Sequence, residues 1–387
     1  MTTTVAKPSE TNGRIGQTQS ARRTFVFEPK GKRLTDDLPD DTLVSWLRDM
    51  MLIREFEIRT MAAYQQAKIG GFCHVYTGQE PVVVGTFAAI EHDDPIITAY
   101  RDHGHALARG MDPKACMAEM FGKITGCAKG KGGSMHMFDK PNHLYGGHGI
   151  VGAQTPLGLG LAFATRYQRE VVGVSDKKHV TLCFLGDGAL NQGALHEAMN
   201  LANLPQTRCP VIYIVENNAY SMGTSIERGT TMAHDLTKKA DAYGIDSITI
   251  DGFDVRSVYD QFKPFADECR DEQKPGFVDL HCYRYQGHSM SDPQKYRTKD
   301  EVESAKERDG IDALAHHLMS ERKCLDEEAY KAMQKELKAI VKDAVKFAEE
   351  SAAPQPEDEM YSDVYVNPQP GLTTLGPYHE GAKNPLL

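Results

Sequence analysis

Two short runs of β-branched and aromatic residues, separated by a helix-like stretch, constrain this chain more than any other feature. Val180–Leu185 and Val211–Val215 are each typical of a buried strand, and Ala189–Leu204 has the spacing of a helix. The first run ends before Asp187 and the second before Asn218. A strand, helix and strand in this order predict two parallel strands in an α/β sheet.

The residues that follow the two strands predict a site. In such a unit both strand ends open onto one crevice, where ligands of parallel sheets bind. We therefore expect Asp187 and Asn218 to present oxygens to one point, beside backbone amides at a helix N-terminus. Carboxylate and amide oxygens suit Mg²⁺, and the amides suit phosphate. The pattern predicts a magnesium and diphosphate site.

The rest of the chain continues the alternation of helices and strands. Asp40 or Asp41 is expected to cap a first long helix, and Thr155 to cap another that has Pro156 at its first position. Further strands are predicted at 95–100, 247–250 and 276–281, and a helix at 326–350. The predicted fold class is α/β, with a mostly parallel sheet and helices on both faces. We divide the chain into a flexible N-terminal leader (1–39), one domain (40–350) and an irregular C-terminal tail (351–387).

Composition excludes several classes of function. A net charge of −10 and a pI near 5.8 argue against binding to nucleic acid or to an anionic membrane. No apolar run is long enough to span a bilayer. The eight cysteines are scattered without a Cys-x-x-Cys pair, which favours free thiols in a reducing compartment over disulfides or zinc. We expect a cytoplasmic protein of bacterial type; the Ser- and Thr-rich start of the chain leaves the mitochondrial matrix as the alternative.

Two glycine-rich segments have an ambiguous local pattern. Residues 129–137 invite a phosphate-loop reading, but Thr125 stands where that motif needs its first glycine and no apolar strand precedes it. A flexible surface loop is the alternative. In residues 145–152, glycines would let the backbone approach a flat ligand, and the carbonyls of Gly149 and Val151 could accept bonds from an exocyclic amine. A turn-rich connection is the alternative there.

The segment after the 276–281 strand has residues suited to anion binding and proton transfer. Arg284 at a strand end can pair bidentately with phosphate. His288, on the following loop, could donate a proton near physiological pH, although a lone loop histidine is more often merely solvated. Asp102, His103 and His105 lack a further partner at ligand spacing, which argues against a metal cluster there.

Five motifs in order resemble one family. They are Gly-Gly-Phe-Cys-His (70–74), Thr-Ala-Tyr-Arg (98–101), Lys-Gly-Lys-Gly-Gly-Ser-Met-His-Met (129–137), Gly-Asp-Gly with Asn-Asn (186–188, 217–218) and Tyr-Arg-Tyr-Gln-Gly-His-Ser-Met-Ser-Asp-Pro (283–293). Over residues 40–350 the chain resembles the alpha subunits of thiamine diphosphate-dependent 2-oxo acid dehydrogenases. Within that family it is most similar to members acting on pyruvate, and acetoin dehydrogenase or another 2-oxo acid dehydrogenase is the alternative.

The resemblance implies a thiamine diphosphate-binding fold and a role for each matched residue. The implied magnesium ligands are Asp187, Asn218 and the carbonyl of Tyr220. The implied diphosphate contacts are Tyr100, Arg101, Arg284 and the backbone of Gly188 and Ala189. Gly149 and Val151 would bind the aminopyrimidine. His288, which would also contact the cofactor, and His74 are the implied catalytic residues, and Phe72 would line the substrate pocket.

The resemblance also implies an activity and partners. These are the oxidative decarboxylation of pyruvate, and the reductive acetylation of a lipoyl group on dihydrolipoamide acetyltransferase, by the alpha half of an α2β2 enzyme. A separate beta subunit would supply the glutamate that activates the cofactor. Ser289 matches the family's main phosphorylation position. Only Gln294 and Lys295 lie between Asp292-Pro293 and Tyr296-Arg297, where mitochondrial relatives have a longer insert, which argues against regulation by a kinase.

Overall fold

The structure, a computed structural model, describes residues 31–355 together with Glu359, Ser362 and Asp363. Residues 1–30 of the predicted leader and most of the predicted tail lie outside the described residues. Within the leader, Leu34–Asp37 form a 3-10 turn in which Thr35 is buried. The amide of Thr35 donates to Asp260 at 2.9 Å. The chain is therefore already packed onto the fold before residue 40.

The main sheet has six strands, all parallel, in the order β2-β1-β3-β4-β8-β7. Its strands are β1 (Ile96–Ala99), β2 (Leu144–His148), β3 (Thr181–Gly186), β4 (Val211–Asn217), β7 (Asp246–Asp251) and β8 (Gly276–His281). Two short strands, β5 (Tyr220–Ser221) and β6 (Thr224–Ser225), form an antiparallel hairpin directly after β4. The predicted parallel α/β sheet is confirmed.

Helices cover both faces of this sheet, as predicted. The helices are α1 (Asp40–Gln65), α2 (Glu80–Ala88), α3 (His103–Ala108), α4 (Pro113–Met120), α5 (Gln154–Tyr167), α6 (Gly193–Ala202), α7 (Ile226–Gly229), α8 (Thr237–Asp241), α9 (Val255–Glu272), α10 (Lys299–Lys306), α11 (Gly310–His316) and α12 (Glu327–Glu350). Short 3-10 turns lie at Gly133–Met135, Lys140–Asn142 and Asp187–Asn191, and π-helical turns at Gln168–Val172 and His317–Arg322. Among the described residues, no helix combines enough length and apolarity to cross a membrane.

Each face of the sheet has its own hydrophobic core. Leu182 and Phe184 of β3 pack into the larger core with α1, α2, α4, α9 and α12. Cys183 and Leu185, which alternate with them, pack into the smaller core with α5, α6 and α8. A strand buried on both faces needs a continuous apolar run, which is why β3 and β4 are so visible in the sequence. All eight cysteines are free.

Helix starts show where local prediction succeeded and failed. The helix predicted at 326–350 is confirmed as α12, and Asp326 caps it, because its side chain accepts from the amide of Ala329 at 2.7 Å. Thr155 does not cap α5: the helix starts at Gln154, and the Thr155 hydroxyl donates back to the carbonyl of Gly152. The expectation that Asp40 or Asp41 caps the first long helix is wrong, because α1 begins at Asp40 with Pro39 in the cap position.

Helix α4 was missed in a region where few regular patterns were expected. Asp112 caps it by accepting from the amide of Lys114 at 2.8 Å, and Pro113 takes the first helical position. Both are ordinary signals of a helix start. The many glycines that follow α4 hid this signal.

Candidate active site

The carboxyl ends of β3 and β4 bring the predicted site residues to one edge of the sheet. Gly186 pairs with Glu216 in register, so Asp187 and Asn218 both follow at this edge. The two side chains are buried, at 2% and 7% exposure. Ala219 then adopts the left-handed backbone conformation, with φ +67°, which is rare for a residue with a side chain. This turn redirects the chain into the β5–β6 hairpin.

Arg284 joins the oxygens at this edge. Its Nη1 donates to Oδ1 of Asn218 at 3.0 Å and to the carbonyl of Tyr220 at 3.1 Å. Its Nη2 donates to the carbonyl of Met222 and to the hydroxyl of Tyr296, each at 3.1 Å. Its Nε is buried without a partner. A cationic nitrogen thus lies where an amide oxygen and a carbonyl oxygen converge.

Asp187 adds a carboxylate whose charge is incompletely compensated. Burial raises the pKa of its carboxyl to about 6, against the opposing effects of Arg284 and of hydrogen bonds from Gly188, Ala219 and Ser221. The Ser221 hydroxyl lies 3.4 Å from Oδ1, while Oδ2 is buried without a partner. A partnerless carboxylate oxygen beside an amide and a carbonyl oxygen forms a donor set that fits a hard cation. The described residues contain no group of three or more His, Cys, Asp or Glu side chains that could hold a metal.

Gln79 sets the orientation of the Asn218 amide, and no local sequence signal pointed to it. Gln79 is fully buried, and its Oε1 accepts from Nδ2 of Asn218 at 3.1 Å. With its nitrogen held there, Asn218 can only turn its oxygen towards Arg284. The adjacent Asn217 is committed elsewhere, because its amide donates to Asp279 at 2.9 Å.

His74, Tyr100 and His288 form an aromatic cluster near these oxygens. Ring centroids lie 4.6 Å apart for His74 and Tyr100, 5.0 Å for His74 and His288, and 5.7 Å for Tyr100 and His288. Burial, with the charges of Arg101 and Arg284, lowers the pKa of His288 to about 4. Burial and Arg101 lower the pKa of His74 to about 2. The expectation that His288 titrates near physiological pH is therefore wrong for the ligand-free chain, where both imidazoles are neutral.

Arg101 holds main chain around this cluster. Its Nη1 donates to the carbonyl of Val75 at 2.6 Å and its Nη2 to the carbonyl of His288 at 2.7 Å. Burial and the neighbouring Arg284 lower its pKa to about 10, so it keeps its charge at neutral pH. Its terminal nitrogens are thus already engaged by backbone oxygens.

The predicted glycine positions lie where space is tight. A Cβ on Gly188 would come within 2.3 Å of the Ser221 hydroxyl, and one on Gly149 within 3.1 Å of the His136 ring. Residues 145–148 belong to β2, so the alternative of a turn-rich connection is wrong for that part of the segment. Val151 is 43% exposed, which places the segment after β2 at the surface.

Phe72 and Ser289 lie at the outer side of the histidine cluster. Phe72 is 65% exposed, and its ring centroid lies 6.4 Å from that of His74. The Ser289 hydroxyl lies 3.0 Å from that of Ser291. The amide of Met290 donates to the carbonyl of Cys73 at 2.9 Å, which joins the two segments.

Two buried acids near the site had no role assigned from the sequence. Glu216, at the end of β4, accepts from the hydroxyl of Tyr76, and burial raises its pKa to about 7. Asp102 accepts from the amide of Met137 at 2.8 Å, and burial raises its pKa to about 7. A carboxyl at the end of an apolar run was the only available signal for Glu216. Oδ2 of Asp102 is thus held by the main chain, whereas its Oδ1 is buried without a partner.

The glycine-rich segment 128–133 closes around a carboxylate of the protein itself. Glu119 of α4 is fully buried and accepts from four backbone amides at 2.8–3.0 Å. The four donors are Ala128, Gly130, Gly132 and Gly133. The loop lies at the surface but is anchored by these four bonds, which argues against the alternative of a flexible loop.

A parallel sheet whose carboxyl edge gathers a carboxylate, two further oxygens and two arginines is typical of α/β enzymes that bind a phosphate-bearing cofactor beyond the ends of their strands. A model of the dehydrogenase E1 component family matches residues 48–357. The chain belongs to this family, which depends on thiamine diphosphate.

Curated relatives are similar over most of their length. The pyruvate dehydrogenase E1 component subunit alpha of Rickettsia bellii (strain RML369-C) is 46% identical over 319 residues, covering 82% of this chain and 94% of the relative. The protein of the same name from Rhizobium meliloti (strain 1021) is 43% identical over 362 residues, covering 93% and 99%. The mitochondrial pyruvate dehydrogenase E1 component subunit alpha-1 of Oryza sativa subsp. japonica is 43% identical over 350 residues, covering 89% and 84%.

Proposed function

We propose that this chain is the alpha half of an α2β2 enzyme that oxidatively decarboxylates pyruvate. The acetyl group then passes to a lipoyl group of dihydrolipoamide acetyltransferase. The observation that carries the proposal is the pair of oxygens from Asn218 and Tyr220 that share one nitrogen of Arg284. Asp187 lies at the same edge, with its Oδ1 3.4 Å from the Ser221 hydroxyl. The chain is also similar to named pyruvate dehydrogenase alpha subunits. The bacterial relatives support a cytoplasmic location as part of this proposal.

In this proposal Mg²⁺ is held by Asp187, Asn218 and the carbonyl of Tyr220. The partnerless Oδ2 of Asp187 and the two oxygens already shared by one nitrogen of Arg284 support this assignment. Arg284 and Tyr100 would then face the diphosphate, with the backbone amides of Gly188 and Ala189 as further donors. Arg101 would add positive charge while it holds the main chain of Val75 and His288.

The remaining site residues orient the reacting groups. Thiamine diphosphate supplies the carbon nucleophile and the electron sink for decarboxylation when it is bound. The carbonyls of Gly149 and Val151 would accept from its aminopyrimidine. His74 and His288, neutral in the ligand-free chain, would donate hydrogen bonds to charge developing on the substrate or the dithiolane. Phe72 would contact substrate from the exposed side.

An exposed apolar surface supports the need for a beta subunit. The partner surface, as we name it, comprises Ile150, Val151, Leu157, Phe163 and Tyr167, which are 43–76% exposed. Phe163 and Tyr167 stack on one another with ring centroids 5.8 Å apart. Several exposed apolar side chains on one helix and the loop before it are typical of an interaction site, and this loop follows Gly149 in the sequence.

The test is to assemble the chain with its beta subunit and measure carbon dioxide release from pyruvate, 2-oxobutanoate and branched 2-oxo acids. We expect pyruvate to be preferred, and the isolated chain to be nearly inactive. The Asp187→Asn variant should lose Mg²⁺-dependent cofactor binding while still assembling with the beta subunit. Full turnover by the isolated chain, or unchanged cofactor binding by Asp187→Asn, would contradict the proposal.

Ser289 is proposed as a position where added negative charge is inhibitory. It adjoins His288, whose carbonyl accepts from Arg101, and a phosphate there would add about two negative charges next to the proposed diphosphate site. A Ser289→Glu variant in the assembled enzyme should lose activity, whereas Ser320→Glu, at an exposed serine outside the site, should not. Normal activity of Ser289→Glu would remove this role.

A further inference from the structure

His74 lies in a buried segment without regular secondary structure. Residues 72–76 belong to neither a helix nor a strand, yet His74, Val75 and Tyr76 are at most 5% exposed. Buried backbone amides and carbonyls need partners, and such a segment cannot find them in a helix or a sheet ladder. Its partners must therefore come from side chains and neighbouring loops.

Backbone amides of residues 285–290 hold one side of this segment. The carbonyl of Cys73 accepts from the amide of Met290 at 2.9 Å, and the carbonyl of Thr77 from the amide of Tyr285 at 3.1 Å. These two bonds explain how the carbonyls at the two ends of the segment are satisfied. The backbone amides of His74 and Tyr76, between these two carbonyls, need other partners.

The amides are held by a chain of three buried side chains. Both carboxylate oxygens of Glu57 accept from Nδ1 of His103, at 3.0 and 2.9 Å. Nε2 of His103 lies 2.8 Å from Oγ of Ser134. Oγ of Ser134 accepts from the amide of His74 at 3.2 Å. Glu57 accepts in addition from the amide of Tyr76 at 2.7 Å.

The same three residue types form the nucleophilic triad of many hydrolases, but these cannot serve that chemistry. Ser134 is 3% exposed, and Glu57 and His103 are fully buried, so no substrate reaches the hydroxyl. The Ser134 oxygen is also already engaged by the His74 amide. Burial would lower the pKa of His103, but Glu57 outweighs it and the pKa is raised. Nδ1 of His103 faces the Glu57 carboxylate and its Nε2 lies 3.0 Å from the carbonyl oxygen of Ser134. A carboxylate and a carbonyl only accept, so both ring nitrogens act as donors.

We propose that Glu57, His103 and Ser134 form a positioning relay that fixes the main chain of His74, so that its ring stays packed against Tyr100 and His288. The inference rests on the proposed function, in which His74 faces the reacting groups. It also gives the 129–137 motif a purpose: Glu119 anchors the glycines, and the anchored loop delivers Ser134 to His74.

The experiment uses the assembled alpha and beta enzyme with the Ser134→Ala substitution. Hydrogen exchange followed by mass spectrometry should show about tenfold faster exchange in peptides covering 73–77, because the His74 amide loses its acceptor. The kcat for pyruvate should fall about tenfold with KM changed less than about twofold. A double variant with His74→Ala should be no slower than His74→Ala alone, because the two residues act through one side chain.

Two further variants keep the result decisive. Ser257→Ala removes another buried serine, whose hydroxyl accepts from Gln261 in α9, and should change neither exchange at 73–77 nor kcat. His103→Asn keeps a donor in the position of Nδ1, but its side chain cannot reach Ser134. It should therefore show the same faster exchange at 73–77 and the same lower kcat as Ser134→Ala. It tests the relay independently if Ser134→Ala folds poorly.

Different outcomes would contradict the proposed relay and the proposed function. Unchanged exchange at 73–77, or additive losses in the double variant, would overturn the relay. Full activity of His74→Ala would overturn it as well. Failure of the unmodified enzyme to decarboxylate pyruvate would instead overturn the proposed function, while the exchange comparison would still decide the relay.

Discussion

Asp187 is a carboxyl group whose ionisation is costly in the ligand-free chain. Its pKa is raised by burial from 3.8 to about 6. As the pH rises from about 4, the unfolded chain therefore loses this proton before the folded chain does. The contribution of Asp187 to the free energy of unfolding falls as the pH rises from about 4 to about 6. A bound cation would reverse this preference, since it favours the ionised carboxylate.

The pH dependence of cofactor binding follows from this pKa. Below a pH of about 6 the cation must displace a proton from Asp187, so the apparent affinity for thiamine diphosphate with Mg²⁺ should fall about tenfold per pH unit. Calorimetric titration between pH 5 and 8 measures it, with circular dichroism at each pH to verify that the fold persists. Affinity that stays constant down to pH 5 would show that Asp187 is not a ligand of the cation.

Gln79 gives a second prediction for single residues. In Gln79→Leu the amide of Asn218 loses its partner and can flip, which would turn a nitrogen towards the cation. We expect the affinity for the cofactor with Mg²⁺ to fall about tenfold, because loss of a group that orients a metal ligand has an effect of about this size. Gln261→Leu, at a half-buried glutamine in α9, is the control and should bind normally. Equal affinities in the two variants would mean that Asn218 is oriented by something else.

Packing between helices is decided by particular glycines. A Cβ on Gly85 of α2 would come within 2.6 Å of Val258 in α9, whereas one on the exposed Gly160 of α5 would meet nothing within 4 Å. Gly85→Ala should lower the free energy of unfolding by about 1–3 kcal/mol, because α2 and α9 must separate. Gly160→Ala should raise it by up to about 1 kcal/mol, because alanine favours the helix. Thermal denaturation of the isolated chain compares the two; the same sign for both would contradict this packing.

The elements that sequence predicted best are those with strong local patterns. Strands β3 and β4 are apolar throughout because both faces are buried, and Asp187 and Asn218 follow them directly. The acceptor that Glu119 provides for the glycine loop could not be predicted, because it depends on α4 packing beside that loop. The Glu57–His103–Ser134 contacts join residues 31 to 46 positions apart and leave no periodic signature. Family resemblance implied a set of cofactor ligands, but it could not show which other side chains orient them.

At the scale of the whole molecule, the apolar partner surface stays exposed to solvent in a single chain. The partner surface around α5 is predicted to bind the beta subunit, so Phe163→Asp should reduce co-purification of the two chains at least tenfold, by burying an unpaired charge. Leu34→Asp changes a leucine with similar exposure, 49%, outside this surface and should leave assembly unchanged. Size-exclusion chromatography of the co-expressed chains distinguishes them. Normal assembly of Phe163→Asp would place the interface elsewhere.

Arg284 bridges the Asn218 oxygen and the Tyr220 carbonyl within hydrogen-bonding distance of a single nitrogen. The molecule thus carries an internal counter-charge for two of the oxygen atoms that would bind the proposed magnesium. Electrostatic repulsion among those atoms is relieved before any ligand arrives, so the architecture needs no metal to persist. Chelation of the metal would then abolish activity without unfolding the protein, and adding Mg²⁺ back would restore the activity.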